Sequence, residues 1–497
     1  MNISSANEEC KETLKHTAED TNETSPVTKE NSKNQKSTHG KRKNFLGEVD
    51  ILHDSVIKSL VMLVIPMIMT NLIQRIYVAT DIMVLGRFAS GSAVAAIGAP
   101  GSIWGLIAGI ASNIGVGVDV MVSRSVGEGN RERIKNVIRT AFSLGLILSA
   151  SVGIAAAILA RPLLEFTGCP ADIIDNATLY MQICTAMLPA SVTYVFMSSV
   201  LRATGDMKRL FIYPMASGLI NVVLNVIFVL VLPNPVAAVA IASVISPWVS
   251  SIMLMSRLRK LEAPYGFTFK NMEFKGEIAS KIFKYGIPAA ISGSILSIVG
   301  VQSQSVLNGF GTAAVAANTS SGEIINFVAM FTAAFTSASA VFMGQNIGAN
   351  NRARALEFYK KTAIIGTLVS LFVALPMLIF GRELIGLIIP GEYESIEIGY
   401  MKMWYVIAPP IAALQGFRAV NNGVLQGYGA TRLQMANSLI GNCGLQIIWL
   451  SFIFPYNPTL DMLFAFTPIA LVLTSLSSTV MVLIHNRKLK RGDLFEL

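Results

Sequence analysis

The chain has 497 residues, 53% of them hydrophobic and 14% charged, with a formal net charge of +9 and a mean hydropathy of +0.56. That balance excludes an ordinary soluble globular protein and indicates a polytopic membrane protein. The excess of Lys and Arg does not mark a nucleic-acid binder, because the basic residues sit in short loops between apolar runs rather than on one face or tail.

Residues 1–50 are rich in Lys, Glu, Asn, Ser and Thr and poor in aliphatic residues, so they read as a disordered tail without the apolar core of a signal peptide. The first apolar run, Lys58 to Phe88, is long enough at about 1.5 Å per residue to cross a ~30 Å hydrocarbon core. Within it Thr70, Gln74, Tyr77 and Asp81 recur at spacings of 4, 3 and 4, forming a polar stripe that ends in a carboxylate. A lone carboxylate facing lipid costs a few kcal/mol or more, so Asp81 is expected to face the bundle interior as a functional group. The competing reading is a structural carboxylate that pins a helix pair.

Further runs follow near 93–122, 134–160, 173–201, 208–232, 236–256, 279–307, 313–343, 358–381, 398–425, 432–454 and 461–485, predicting twelve transmembrane helices in an all-α fold. Alternate loops carry Arg124, Arg131, Arg133 and Lys135; Arg202, Lys208 and Arg209; a basic cluster over residues 257–284; Arg352 and Arg354; Arg432; and Arg487 to Arg491. The opposite loops carry only Arg87, Arg161, Arg382 and Lys402. The positive-inside rule then places both termini in the cytoplasm, in a plasma (inner) membrane protein.

The chain also repeats itself. Ile65-Pro66 matches Ile287-Pro288, and VLGRF from Val84 matches VLNGF from Val306, both pairs at one and the same offset. RSVGEGNRER from Arg124 echoes QNIGANNRAR from Gln345, and LRATGD from Leu201 echoes LQGYGA from Leu425, with only the slight drift in offset that loop insertions and deletions produce. Six spans per unit is an even number, so the units share one orientation about an axis along the membrane normal. Two lobes around a central cleft are transporter architecture; channels more often carry a filter or charged ring.

Other polar groups are sparse. Glu323 falls near the middle of the eighth span, as a cargo-binding acid or a hydrogen-bonded one, and Arg418 in the tenth either lines the cargo path or snorkels to the interface. Arg75 reads as a buried cation off the Asp81 stripe, and Asp119 as an interfacial partner of Arg124. Cys10, Cys169, Cys184 and Cys443 have no paired spacing. His16, His39, His53 and His485 fall outside the apolar spans, so no intramembrane imidazole relay is expected. HExxH, Walker A and GxSxG are absent, which argues for no cofactor and no enzyme activity.

VATDIMVLGRF around Asp81, GEGNRER with its echo, LRATGD and NVVLN at Asn221 to Asn225 together resemble the multidrug and toxic compound extrusion (MATE) transporters, over residues 55 to 487. That resemblance implies antiport of organic, cationic or amphipathic compounds against H+ or Na+, with the first-helix carboxylate at Asp81, Tyr77 one turn earlier, Asn221 and Ser243 in cation coupling. It also implies that Na+, where it is the coupling ion, binds at Asp81. An aspartate of the family's proton-coupled branch is Asn225 here, and a glutamate of its sodium-coupled branch is Leu296, so the coupling ion does not carry over. Gln74 and Thr70 of the stripe, with Glu323 and Arg418, are the cargo-binding candidates. The expected organisation is a tail at 1–50, lobes at 51–260 and 279–486, a cytoplasmic loop at 261–278 and a tail at 487–497. Expected partners are a small-molecule substrate and the lipid bilayer, with the protein monomeric and free of nucleic acid. The alternative reading is a flippase for lipid-linked cargo, which would use Arg75 and Arg418 on a pyrophosphate.

Overall fold

In hydrocarbon every backbone N–H and C=O needs an internal partner, and long apolar runs meet that demand as helices. The computed structural model describes residues 49–492 apart from 89–90, 269, 271, 381–382, 384–396 and 400–408. The first half comprises α1 (Val56–Phe88), the short α2 (Gly91–Gly98), α3 (Gly101–Glu128), α4 (Arg131–Phe166), α5 (Ile174–Thr185), α6 (Leu188–Ala203), α7 (Met207–Val231) and α8 (Pro235–Arg259). The second comprises α9 (Gly276–Asn308), α10 (Thr312–Gly348), α11 (Arg352–Ile379), α12 (Pro409–Gly427), α13 (Thr431–Ser438), α14 (Leu445–Ile448) and α15 (Leu460–Arg491). Among the described residues nine segments are long and apolar enough to cross a membrane, and the pair α5–α6, bent by 42°, makes a tenth. With α9 and α12 these form the twelve spans of two six-helix halves; the start of the tenth span, 400–408, lies outside the described residues.

The repeat extends to the turns. Gly129 ends α3 at φ +67°, and the Asn130 side chain then caps α4 by accepting from the Arg133 N–H at 3.0 Å. At the matching places in the second half Asn350 holds φ +54° and Asn351 accepts from the Arg354 N–H at 3.3 Å. Asn tolerates the left-handed region and also caps well, which is why two different words, GN and NN, build one turn. Gly205 (φ +73°) and Gly429 (φ +68°) make the equivalent pair after α6 and α12, in the register that relates Leu201 to Leu425.

The halves meet most closely near the end of the bundle that carries the basic loops. Added Cβ atoms would strike the Gln345 backbone at Gly127 and the Arg124 backbone at Gly348, so only glycine lets α3 and α10 approach this closely. Gln345 Nε2 donates to the Ala203 carbonyl at 2.7 Å, and Arg124 Nη2 to that of Gly427 at 3.3 Å. Beneath these contacts one apolar cluster joins Leu60, Leu63 and Met67 of α1 to Phe335, Phe342 and Phe358, with the Phe342 and Phe358 rings stacked at 3.8 Å.

Four expectations change. Asp119 pairs with Arg202 (2.7 Å), whose guanidinium also donates to Ser198, because α6 lies against α3 at that level; Arg124 instead lies 5.9 Å from the Tyr285 ring. Arg75 is exposed, not buried. His485 is buried inside α15, tilted on Tyr428 at 5.4 Å with its Nδ1 2.8 Å from the Met481 carbonyl, because α15 continues to Arg491, beyond the apolar run. The eleventh span is not one regular helix: π-turns occupy Leu439–Gly444 and Trp449–Ile453, where a Cβ on Gly441 would meet Thr474 of α15.

Candidate functional site

The site begins with a proline. Pro214 in α7 has no N–H, so the Leu210 carbonyl one turn earlier loses its helical donor. Tyr194 Oη at 3.2 Å and Thr70 Oγ1 at 3.5 Å supply replacements, and Thr70 also donates to the Pro66 carbonyl at 2.8 Å. Tyr77 Oη donates to the Pro214 carbonyl itself. Its ring lies where a Cβ at residue 218 would be, so Gly218 makes the seat for Tyr77 and seals α1 onto α7. Thr70 and Tyr77 thus hold the helix pair, and Thr70 commits its hydroxyl to packing rather than to cargo.

One turn beyond Tyr77, the half-buried Asp81 receives two neutral donors. Asn225 Nδ2 donates to Oδ1, and Ser243 Oγ of α8 donates to Oδ2 at 3.1 Å. Asn225 Nδ2 also donates to Asn221 Oδ1 at 3.1 Å, and Ser217 Oγ ties α7 to the Ser246 carbonyl of α8 at 2.5 Å. Asn221 and Asn225 are 3% and 0% exposed, so the amides are desolvated and their geometry is held by helix packing. Asp81 makes no ion pair among the described residues. A charge held by dipoles alone leaves a whole unit of negative charge to be neutralised by a proton or a cation.

The donor set suits a hard cation. The two Asp81 oxygens, Asn221 Oδ1 and Ser243 Oγ are all oxygen ligands, and Asn225 Oδ1 is buried without a hydrogen-bond partner.

Asp81, Asn221, Asn225 and Ser243 therefore converge, with Tyr77 adjacent. Gln74 is exposed on α1 and stands outside the network. Arg418 is on α12 in the other half, and the Glu323 and Leu296 side chains lie outside the described residues. Sequence reasoning missed Tyr180 and Cys184 of α5, which lie one turn apart and within reach of the Asp81 charge. Their i, i+4 spacing is the one available signal, and it is common in any apolar helix. At the position that repeats Asp81, Ser303 accepts from Gln446 Nε2 at 2.7 Å, so the equivalent place in the second half is neutral.

The MatE family profile matches the chain twice, over residues 66–227 and 288–451, and the two matches start on Pro66 and Pro288, the prolines that the internal repeat pairs. The probable multidrug resistance protein YoeA of Bacillus subtilis is 24% identical over 353 residues, 70% of this chain and 76% of that protein. The multidrug export protein MepA of Staphylococcus saprophyticus is 21% identical over 382 residues, covering 76% and 83%. A solved structure of a MATE protein in its bent conformation superposes with a TM-score of 0.81 at 21% identity, covering 91% of this chain and 100% of that one.

Proposed function

Since the chain belongs to the MATE family of multi-pass membrane transporters, we propose that it exports organic, cationic or amphipathic compounds in antiport with H+ or Na+ coupled at Asp81. The observation that carries this reading is the Asp81 network: a carboxylate in an apolar bundle, held by Asn225 and Ser243, with no described cation to neutralise it. A bound proton or Na+ and a cationic cargo compete for the same negative charge, so occupancy by one lowers the affinity for the other. Competition is the basis of exchange. The glycine contacts of α3 with α10 close the basic end around small side chains, an interface that two rigid halves can part and remake.

In this reading the basic end is cytoplasmic, both termini lie on that side, the membrane is the plasma membrane and one chain suffices. No catalytic step and no cofactor take part. The test is export of a fluorescent organic cation from proteoliposomes under separately imposed proton and sodium gradients. Export driven by one gradient and abolished by its collapse supports the proposal; flux indifferent to both overturns antiport.

A further inference from the structure

Asp81 repeats as Ser303, and Arg418 repeats Tyr194 in the register that relates Leu425 to Leu201, so neither charge is duplicated in the other half.

The direction of Arg418 follows from the packing of α12. Gly416, Val420 and Gly423 abut Gly366 and Ser370 of α11 and Thr336 and Ser339 of α10. Asn421 turns to Tyr359 (3.1 Å) and to Ser478 and Thr479 of α15 (3.2 and 3.1 Å). Gln415, Arg418 and Asn422 share the remaining face, at spacings of 3 and 4. In the register that pairs Arg418 with Tyr194, Leu210, which Tyr194 Oη reaches through its backbone carbonyl, corresponds to Gln434 at the start of α13. Gln434 is 9% exposed and its Oε1 has no partner. Arg418 itself is partly buried and makes no ion pair or hydrogen bond among the described residues.

A guanidinium offers five donors in a planar fork that fits a carboxylate or phosphate, and in an apolar bundle it is retained at a cost. We infer that the second half holds an anion subsite centred on Arg418, taking the carboxylate of a zwitterionic cargo whose cationic end is read in the first half. The inference rests on the transport reading above and narrows it: the preferred cargo carries both charges.

The test uses two dyes that differ by one carboxylate, the zwitterion rhodamine 110 and its cationic methyl ester rhodamine 123, with export from proteoliposomes measured for each. Wild type should show the lower KM for the acid. Arg418→Gln should raise the acid's KM about tenfold, the worth of one charge-assisted hydrogen-bonded pair, and so remove the preference for the acid over the ester. Arg418→Lys, which keeps the charge without the fork, should recover part of the preference. A monodisperse gel-filtration profile and a wild-type thermal unfolding midpoint show that the variants fold. Repeating the assay in liposomes of phosphatidylcholine alone and with phosphatidylglycerol separates the sources: competition by the anionic lipid identifies a lipid phosphate, and none identifies the cargo carboxylate. Equal losses for both dyes on Arg418→Gln, or no loss for either, overturn the subsite. Wild type that exports neither dye fails the transport reading instead.

Discussion

Arg354, in the first turn of α11, donates to the Ile51 carbonyl through Nη2 at 2.8 Å and Nε at 3.1 Å, and Nη2 also donates to the Asp54 carbonyl. The same segment is stitched to the first half by the Val49 N–H on the Gly205 carbonyl at 3.2 Å. The guanidinium lies 5.3 Å from the Phe342 ring, so it is held from both sides. Residues 49–54 thus span the two halves at the basic end. Arg354→Ala should destabilise the protein by about 2 kcal/mol, the scale of a hydrogen-bonded charged group, and should accelerate amide exchange across 49–54. Arg354→Lys, lacking the fork, should recover at most about half. Unfolding in detergent and hydrogen exchange measure both, and unaltered exchange in Arg354→Ala would remove the strap.

Asp81→Asn keeps the shape of the site but removes its charge and turns one of its two acceptor oxygens into a donor. The variant should insert and remain monodisperse while gradient-driven export falls at least about a hundredfold, the loss expected if the charge itself is the coupling element. Export at the wild-type rate by a well-expressed variant would refute the coupling assignment.

Gly218→Ala places a methyl group where the Tyr77 ring lies. Overpacking of this kind costs about 1–3 kcal/mol. Tyr77→Ala alone also destabilises, because the Pro214 carbonyl loses its donor and the seat empties. Combined, the two should cost less than the sum of the single effects, since each removes the other's clash. A double-mutant cycle on thermal unfolding decides it, strict additivity being the contrary result.

Outside the membrane spans, Arg139 holds the Glu273 carboxyl below its ordinary value of 4.5, with Lys275 adding to the effect. A carboxyl depressed in the folded state stabilises above the unfolded value and loses that contribution as pH falls through the folded one. The Arg139–Glu273 contact at 3.1 Å links α4 to the segment before α9, so wild type should lose thermal stability more steeply below 4.5 than Glu273→Gln does. The difference is small because the Glu273 side chain is 39% exposed and water screens the pair. Unfolding midpoints measured across that range should converge for the two proteins at the acid end; parallel curves would show that the pair does not contribute.

Adding a second carboxylate by Asn225→Asp should tighten the coupling cation, because the Asn225 amide already touches both Asp81 and Asn221. Where Na+ is the coupling ion, export at matched expression should reach half-maximum at a lower sodium concentration than in wild type; where it is H+, the export optimum should move to higher pH. Superimposable curves would separate position 225 from the ion.

The helices, their number and their duplication were legible because hydrocarbon leaves the backbone no other solution and because the turn words GEGNR and GANNR recur in register. Asp81 was legible for a related reason: a carboxylate in an apolar run is too costly to be incidental. What surrounds it was not. Gly218 as the seat for Tyr77, and the Leu210 carbonyl freed by Pro214 and filled by Tyr194 and Thr70, depend on which helices lie side by side. The same holds for Asp119, which found Arg202 on a distant helix rather than Arg124 a turn away. Periodicity places a side chain on a face of its own helix. Only the packing of one helix against another decides what that face meets, and apolar faces that are alike in composition do not encode their partners locally.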